Sequence, residues 1–174
     1  MKFNEELEKA WNPYNSMMLK SRFKILCSQA YSRFPKRVKK KIFRYHLLIC
    51  DYMYHSKYPD RDIVGMPYGF YHEGKGLIDI VPEEANKLSD NAFIGFIAHE
   101  TAHFYADKTI KLIKKLKSWF YKIKFNSLSE DRQKFYRNPE ELHADILAVK
   151  WGFIKEINTI NQERIVKADQ IIIN

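Results

Sequence analysis

Cysteine is scarce in this chain, and its scarcity limits the kinds of site that the chain can build. Cys27 and Cys50 are the only two cysteines in 174 residues. Two are too few for a disulfide framework or for a metal site made of four cysteines. We therefore expect both to serve as small buried apolar side chains rather than as reactive groups.

Long apolar runs are also missing. No uninterrupted run approaches the roughly 20 residues that a membrane-spanning helix requires. Residues 1–6 carry two acids where a secretory signal would need an apolar stretch, so we expect a cytoplasmic protein. With 45% hydrophobic and 29% charged residues, the composition is typical of a globular protein. The length then predicts a single domain over residues 1–174.

Acidic residues are absent from two strongly basic segments. Residues 33–44 hold seven basic side chains, and residues 108–124 hold seven more. The other 16 basic residues are outnumbered by the 21 acidic ones, so the net charge of +9 is concentrated in these segments. Such segments can bind nucleic acid, an anionic membrane or another acidic partner. A solvated helix face without a partner explains them equally well.

The spacing of apolar residues predicts a mostly helical chain. Residues 1–57 are expected to form helices over 2–11, 14–33 and from Pro35 to about residue 54. Residues 108–124 predict an amphipathic basic helix, inserted between two other helices, whose apolar stripe we expect to pack against the domain. A helix should begin at Asn138 and end near residue 157, and a C-terminal helix should lie within residues 158–174.

A short non-helical region precedes residue 82. Four of the six glycines lie between residues 63 and 81, where helical periodicity is lost. Residues 70–72 and 77–81 predict two strands joined by a turn, and Pro82 ends the second strand. The prediction is therefore an α+β fold, predominantly helical, with a small β-hairpin before the next helix.

That next helix carries the most informative motif, His99-Glu100-Thr101-Ala102-His103. Two histidines four residues apart lie on one face of a helix, with the spacing that can hold one tetrahedral Zn²⁺. Glu100 can take a proton from a water bound to the metal. The motif follows an apolar run over residues 92–98, and polar groups in such a helix need partners. The alternative is that both histidines are merely structural and Glu100 is solvated.

A second motif offers a third ligand. Glu141 and Asp145 are four residues apart and share a helix face, so Glu141 could bind the metal. Asp145 could then accept a hydrogen bond from the second nitrogen of a ligating histidine. Glu140 and His143 are rival third ligands. Glu141 could also simply complete a capping box with Asn138, without any metal.

The two motifs together resemble those of the gluzincin metallopeptidases, especially the small minigluzincins, in which the second motif reads Glu-x-x-Ala-Asp. The resemblance implies a zincin-like fold and one Zn²⁺ per chain. It implies His99, His103 and Glu141 as ligands, Glu100 as general base and Asp145 as a supporting carboxylate. It further implies an edge strand, to which an extended peptide substrate adds, at Leu77, Ile78, Asp79, Ile80 and Val81. Residues 1–57 and the basic insertion match no subfamily.

The resulting expectation is a zinc-dependent metalloendopeptidase that acts on a protein or peptide substrate. Glu100 would accept the proton of the attacking water and deliver it to the leaving amine. Two alternatives stay open at this point. One is a metal-binding domain without hydrolytic activity, and the other is a basic module for nucleic acid or anionic membrane in which the motif is incidental. The sequence does not identify a residue that stabilises the oxyanion.

Overall fold

A computed structural model describes residues 21–51, 68–72, 76–109, 111–136 and 138–173. This part of the chain is an α+β structure made mostly of helices, as predicted. The helices are α1 (Ser21–Arg33), α2 (Lys36–Tyr45), α3 (Pro82–Ala85), α4 (Asp90–Asp107), α5 (Lys111–Asn126), α6 (Glu130–Tyr136), α7 (Pro139–Lys150) and α8 (Ile154–Ile173). The strands are β1 (Leu48–Asp51), β2 (Gly69–His72) and β3 (Leu77–Ile80). The helix predicted over 2–11 lies outside the described residues.

The helix that follows Pro35 is shorter than predicted. It ends at Tyr45 because His46 adopts a left-handed backbone conformation (φ 51°), and its N–H reaches back to the carbonyls of Ile42 and Phe43. The chain then enters β1, so the predicted continuation of this helix to residue 54 is wrong. The apolar residues that follow Tyr45, Leu47 to Ile49, are compatible with either a helix or a buried strand.

The three strands form one mixed sheet in the order β1-β3-β2. The predicted hairpin is confirmed by the antiparallel pairing of β2 with β3, in which Gly69 lies opposite Ile80. The other side of β3 pairs in parallel with β1, which the sequence analysis did not anticipate. The prediction that Leu77–Val81 is an edge strand is therefore wrong, because β3 has a neighbour on each side.

Helix α4 lies at the centre of the described structure and packs against α1, α7, α8 and β2. It begins after Ser89, whose hydroxyl accepts a hydrogen bond from the Ala92 N–H. Twelve of its 18 residues are buried, and Phe93 stacks on Phe23 of α1 with 4.8 Å between ring centroids. Gly95 permits close contact with α8, since a Cβ at this position would collide with the Glu156 carbonyl.

Two predictions from composition can be compared with this structure. Cys27 is buried, as expected, with 2% of its surface exposed, whereas the side chain of Cys50 lies outside the described part. Among the described residues, no helix is both long enough and apolar enough to cross a membrane.

Candidate metal centre

The site is formed where α4 and α7 pack side by side. Ala102 on α4 and Ala144 and Ala148 on α7 are all buried, and their small side chains allow the two helices to approach closely. Asn138 caps α7 by accepting hydrogen bonds from the backbone N–H groups of Glu140 (2.9 Å) and Glu141 (3.0 Å). This cap fixes the start of α7 and hence the position of its first turn opposite the histidines.

Three side chains from these helices converge on one point. His99 Nε2 lies 3.1 Å from His103 Nε2 and 3.1 Å from Glu141 Oε2. The other Glu141 oxygen, Oε1, lies 3.4 Å from His103 Nε2. His99, His103 and Glu141 thus form a group that could hold a metal ion, with one ligand atom from each within 4.8 Å of the others.

The buried carboxylate of Asp145 orients His99 from the opposite side of its ring. Asp145 Oδ1 lies 2.7 Å from His99 Nδ1. A carboxylate can only accept here, so Nδ1 donates the proton, and Nε2 of a neutral ring presents its lone pair to His103 and Glu141. Asn161 of α8 supports Asp145 by donating from Nδ2 to Oδ2 at 2.9 Å. Asn161 belongs to no motif, so the sequence does not predict its place in the site.

The electrostatics of the cluster favour a cation at its centre. Burial opposes a charge on His99, but the Asp145 and Glu141 carboxylates outweigh it and raise the pKa of the imidazole to about 9. Burial likewise opposes ionisation of Glu141 and Asp145, but hydrogen bonds from the histidines prevail and hold the pKa of each carboxyl below its usual range. The cluster therefore binds positive charge, which either a proton or a metal cation can provide.

Glu100, the next residue after His99, faces the sheet. Only 7% of its surface is exposed, and its Oε2 accepts a 2.8 Å hydrogen bond from the backbone N–H of Tyr71 in β2. The Tyr71 ring packs edge-on against Phe104, and its hydroxyl donates to Asp107 at 2.8 Å. One residue therefore fastens β2 to three successive turns of α4. Nothing in the sequence pattern singled out Tyr71.

The rival third ligands lie elsewhere. Glu140 is exposed to solvent at the start of α7. His143 is on another face of α7 from Glu141, where its ring stacks on that of Tyr121 with 3.9 Å between centroids. The alternative that Glu141 only completes a capping box with Asn138 is half right. Asn138 does cap α7, but its own N–H donates to the Tyr136 carbonyl at 2.6 Å, while the Glu141 carboxylate lies against the histidines.

No protein-family model matches this chain, and no curated protein and no solved structure matches it either. The function must therefore be argued from the geometry of the site itself.

Proposed function

We propose that this protein is a zinc-dependent peptidase with a zincin-like arrangement of the gluzincin type. One observation carries the proposal: the side chains of His99, His103 and Glu141 converge on a single point. Two further carboxylates accompany them, Asp145 behind His99 and Glu100 beside it. Structural histidines do not require such a set of partners.

The distances and ligand types support zinc as the metal. In a tetrahedral site with Zn–N bonds of 2.0–2.1 Å, neighbouring ligand atoms are about 3.3 Å apart. The two histidine Nε2 atoms are 3.1 Å apart, close to that value. Each lies near a different oxygen of Glu141, His99 at 3.1 Å from Oε2 and His103 at 3.4 Å from Oε1. Two imidazoles and one carboxylate also form a ligand set that leaves the fourth zinc position open for water or substrate, as catalysis requires.

Zinc bound there would polarise a peptide carbonyl and lower the pKa of a bound water. The chain itself supplies the remaining functions. Asp145 holds the proton on Nδ1 of His99, which directs the Nε2 lone pair to the metal. Glu100 acts as general base and later donates the proton to the leaving amine. Its Oε2 is held by the Tyr71 N–H, so we assign the proton to Oε1.

The strand that borders Glu100 is β2 rather than β3. The Val81 N–H bonds to the Tyr68 carbonyl across the hairpin, and such pairs alternate along an antiparallel ladder. The N–H of Tyr71 consequently points away from β3 and towards Glu100. A peptide substrate next to the proposed base would lie near β2, but it would not pair with the Tyr71 N–H, which already donates to Glu100.

A metal-binding domain without hydrolytic activity is the second candidate. The observation that favours it is the placement of Glu100, which is buried and already hydrogen-bonded to the backbone of β2. A structural carboxylate would have the same surroundings. The two candidates share the metal site and differ only in what Glu100 does.

Metal analysis and peptide cleavage test both candidates. We expect the purified chain to carry about one zinc per molecule, and we expect His99→Ala, His103→Ala and Glu141→Ala to lose it. Glu100→Gln should keep the zinc and lose at least about 100-fold in cleavage of a diverse peptide library, because the amide cannot accept the proton. Glu140→Gln, the same change at the exposed neighbour of Glu141, should alter neither property.

Each part of the proposal can fail separately. Absence of stoichiometric zinc would overturn the metal site as a whole, and full zinc content in Glu141→Ala would remove that residue from the ligand set. Activity of Glu100→Gln within a few-fold of the parent would contradict its role as base. A zinc-loaded parent that cleaves no member of the library would favour the metal-binding alternative for the peptides tried.

A further inference from the structure

Helix α5 turns apolar side chains outwards. Trp119, Phe120 and Ile123 are 65%, 57% and 50% exposed, and we call these three residues the exposed face of α5. The prediction that the apolar stripe of this helix packs against the domain is wrong for these three residues. Among the side chains of α5 that the structure describes, Tyr121 is buried instead: it is 6% exposed and stacks on His143 of α7.

Lysines flank this face on both sides. At 100° per residue, the exposed face covers about 100° of the helix circumference, from Trp119 through Ile123 to Phe120. Lys122 lies about 60° before Trp119, and Lys124 lies about 40° beyond Phe120. Both lysines are exposed. The arrangement is an apolar strip between two cationic borders, in a segment that carries no acid from residue 108 to residue 124.

Several basic side chains of the other segment, residues 33–44, make contacts within the fold. Arg33 pairs with Glu156 and bonds the Gly152 carbonyl, and Lys39 bonds the Ser32 carbonyl. Lys41 reaches the end of α4, where its Nζ lies 3.1 Å from the Tyr105 carbonyl and 2.9 Å from that of Lys108. These contacts explain part of the first segment through internal structure. They do not account for the exposed face of α5.

We propose that the exposed face of α5 docks on an anionic lipid bilayer. Tryptophan and phenylalanine partition into the interfacial zone of a membrane, where an aliphatic side chain such as Ile123 also leaves water. The lysines beside them would meet the negative headgroups. Nucleic acid would match the charge, but its phosphates offer no apolar environment for Ile123.

The location of α5 is compatible with this role. Its contact with α7 is made through His143, which is separated from Glu141 by about 200° around the helix axis. The exposed face is therefore directed away from the metal centre, and membrane binding would leave the site open to a substrate. The inference does not depend on the proposed peptidase activity.

Vesicle co-sedimentation of the full chain tests the proposal. The parent should bind phosphatidylcholine vesicles containing about 30% phosphatidylserine and bind pure phosphatidylcholine at least about 10-fold more weakly. Binding should fall as salt rises to about 0.5 M, because exposed charges are then screened. In the variant Trp119→Ser/Phe120→Ser/Ile123→Ser, we expect at least about 10-fold weaker partitioning, and in Lys122→Gln/Lys124→Gln a similar loss.

Matched controls separate this face from general surface effects. Ile25 and Ile154 are as exposed as the face residues, at 58% and 59%, so Ile25→Ser/Ile154→Ser should bind like the parent. Lys150→Gln/Lys155→Gln removes two exposed charges elsewhere and should change binding by less than about threefold. Circular dichroism should be the same for all variants, since none removes a buried side chain.

A fluorescence measurement identifies the side chain that enters the bilayer. The emission of the parent should shift to shorter wavelength on anionic vesicles, and Trp119→Phe should keep the binding but lose most of this shift. Lack of binding to anionic vesicles by the parent, or unchanged binding by the triple-serine variant, would overturn the proposal. Tighter binding to DNA than to vesicles, or self-association that the triple-serine variant abolishes without any vesicle binding, would replace it with a different partner.

Discussion

Helices α4 and α5 follow one another in the chain, have similar lengths of 18 and 16 residues, and are both rich in aromatic side chains, yet their environments are opposite. In α4, burial extends to the polar residues His99, Glu100 and Thr101. In α5, even Trp119 and Phe120 are exposed. Buried polar groups need hydrogen-bonding or charged partners, and exposed apolar groups can bind another molecule. Each helix therefore indicates a function at the residues whose burial is unusual for their type.

The largest expected effect is the difference in stability between matched truncations in the two helices. Phe93→Ala should lower the free energy of unfolding by about 3–5 kcal/mol, because Phe93 is fully buried and stacked on Phe23. Phe120→Ala should cost less than about 0.5 kcal/mol, since the ring is 57% exposed. Urea titration followed by circular dichroism measures both. Similar losses in the two variants would mean that the contrast between the helices is wrong.

The sequence alone predicted the parts of the site that depend on local spacing. The spacing predicted that His99 and His103 share one helix face and that Glu141 and Asp145 share another, because four residues bring side chains to one face. The spacing did not by itself decide between Glu141, Glu140 and His143 as the third ligand. Asn161 and Tyr71 could not be predicted in this way. They reach the site through the packing of α8 on α4 and through the docking of β2, and no spacing within a segment encodes either contact.

The next largest effect concerns His99 of α4 and the carboxylate that contacts its Nδ1, Asp145 of α7. Asp145→Asn should weaken the proposed zinc binding by about 10- to 100-fold, because an amide can donate to Nδ1 of His99 and so favour the wrong tautomer. Competition with a chromophoric zinc chelator at neutral pH measures the affinity. Asp131→Asn, the same change at an exposed site on α6, is the control and should have no effect. An unchanged affinity in Asp145→Asn would assign the carboxylate to structure alone.

The hairpin was predicted correctly, but two helix ends and one distant strand pairing were not. The helix after Pro35 ends at Tyr45. The helix expected from Asn138 to about residue 157 is interrupted at Gly152 (φ 96°), so that α7 and α8 are separate. The hairpin of β2 and β3 follows from the glycine-rich stretch between residues 63 and 81, whereas the parallel pairing of Leu48 with Leu77 spans a long crossover. The edge position of β3 was implied by the family resemblance, and the pairing with β1 contradicts it. The exposed face of α5 escaped for a related reason: periodicity identifies an apolar face, but only the tertiary structure determines whether another element covers it.

The smallest expected effect concerns Glu156, a buried carboxylate of α8, the helix that packs against α4. Glu156 is 6% exposed, and Arg33 donates hydrogen bonds to both of its carboxylate oxygens, Nη2 to Oε2 at 3.1 Å. The Arg33 side chain is 38% exposed, so water weakens this ion pair. The carboxylates of the candidate metal centre would be neutralised by a bound metal ion, whereas Glu156 is paired with Arg33 of the protein itself. Replacing it should therefore affect stability and leave the zinc content unchanged.

Glu156→Gln should destabilise the protein by about 1 kcal/mol at pH 7. The hydrogen bonds from Arg33 lower the pKa of Glu156 below 4.5 despite burial. A carboxyl whose pKa is lower in the folded state contributes stability above its unfolded pKa and loses it as the pH falls through the folded value. Urea titrations of parent and variant should thus differ most near neutral pH, and the difference should shrink in acid as the folded carboxyl takes up its proton. Glu130→Gln, at an exposed position, serves as the control. A difference that persists unchanged in acid would indicate that Glu156 acts through its shape and not through its charge.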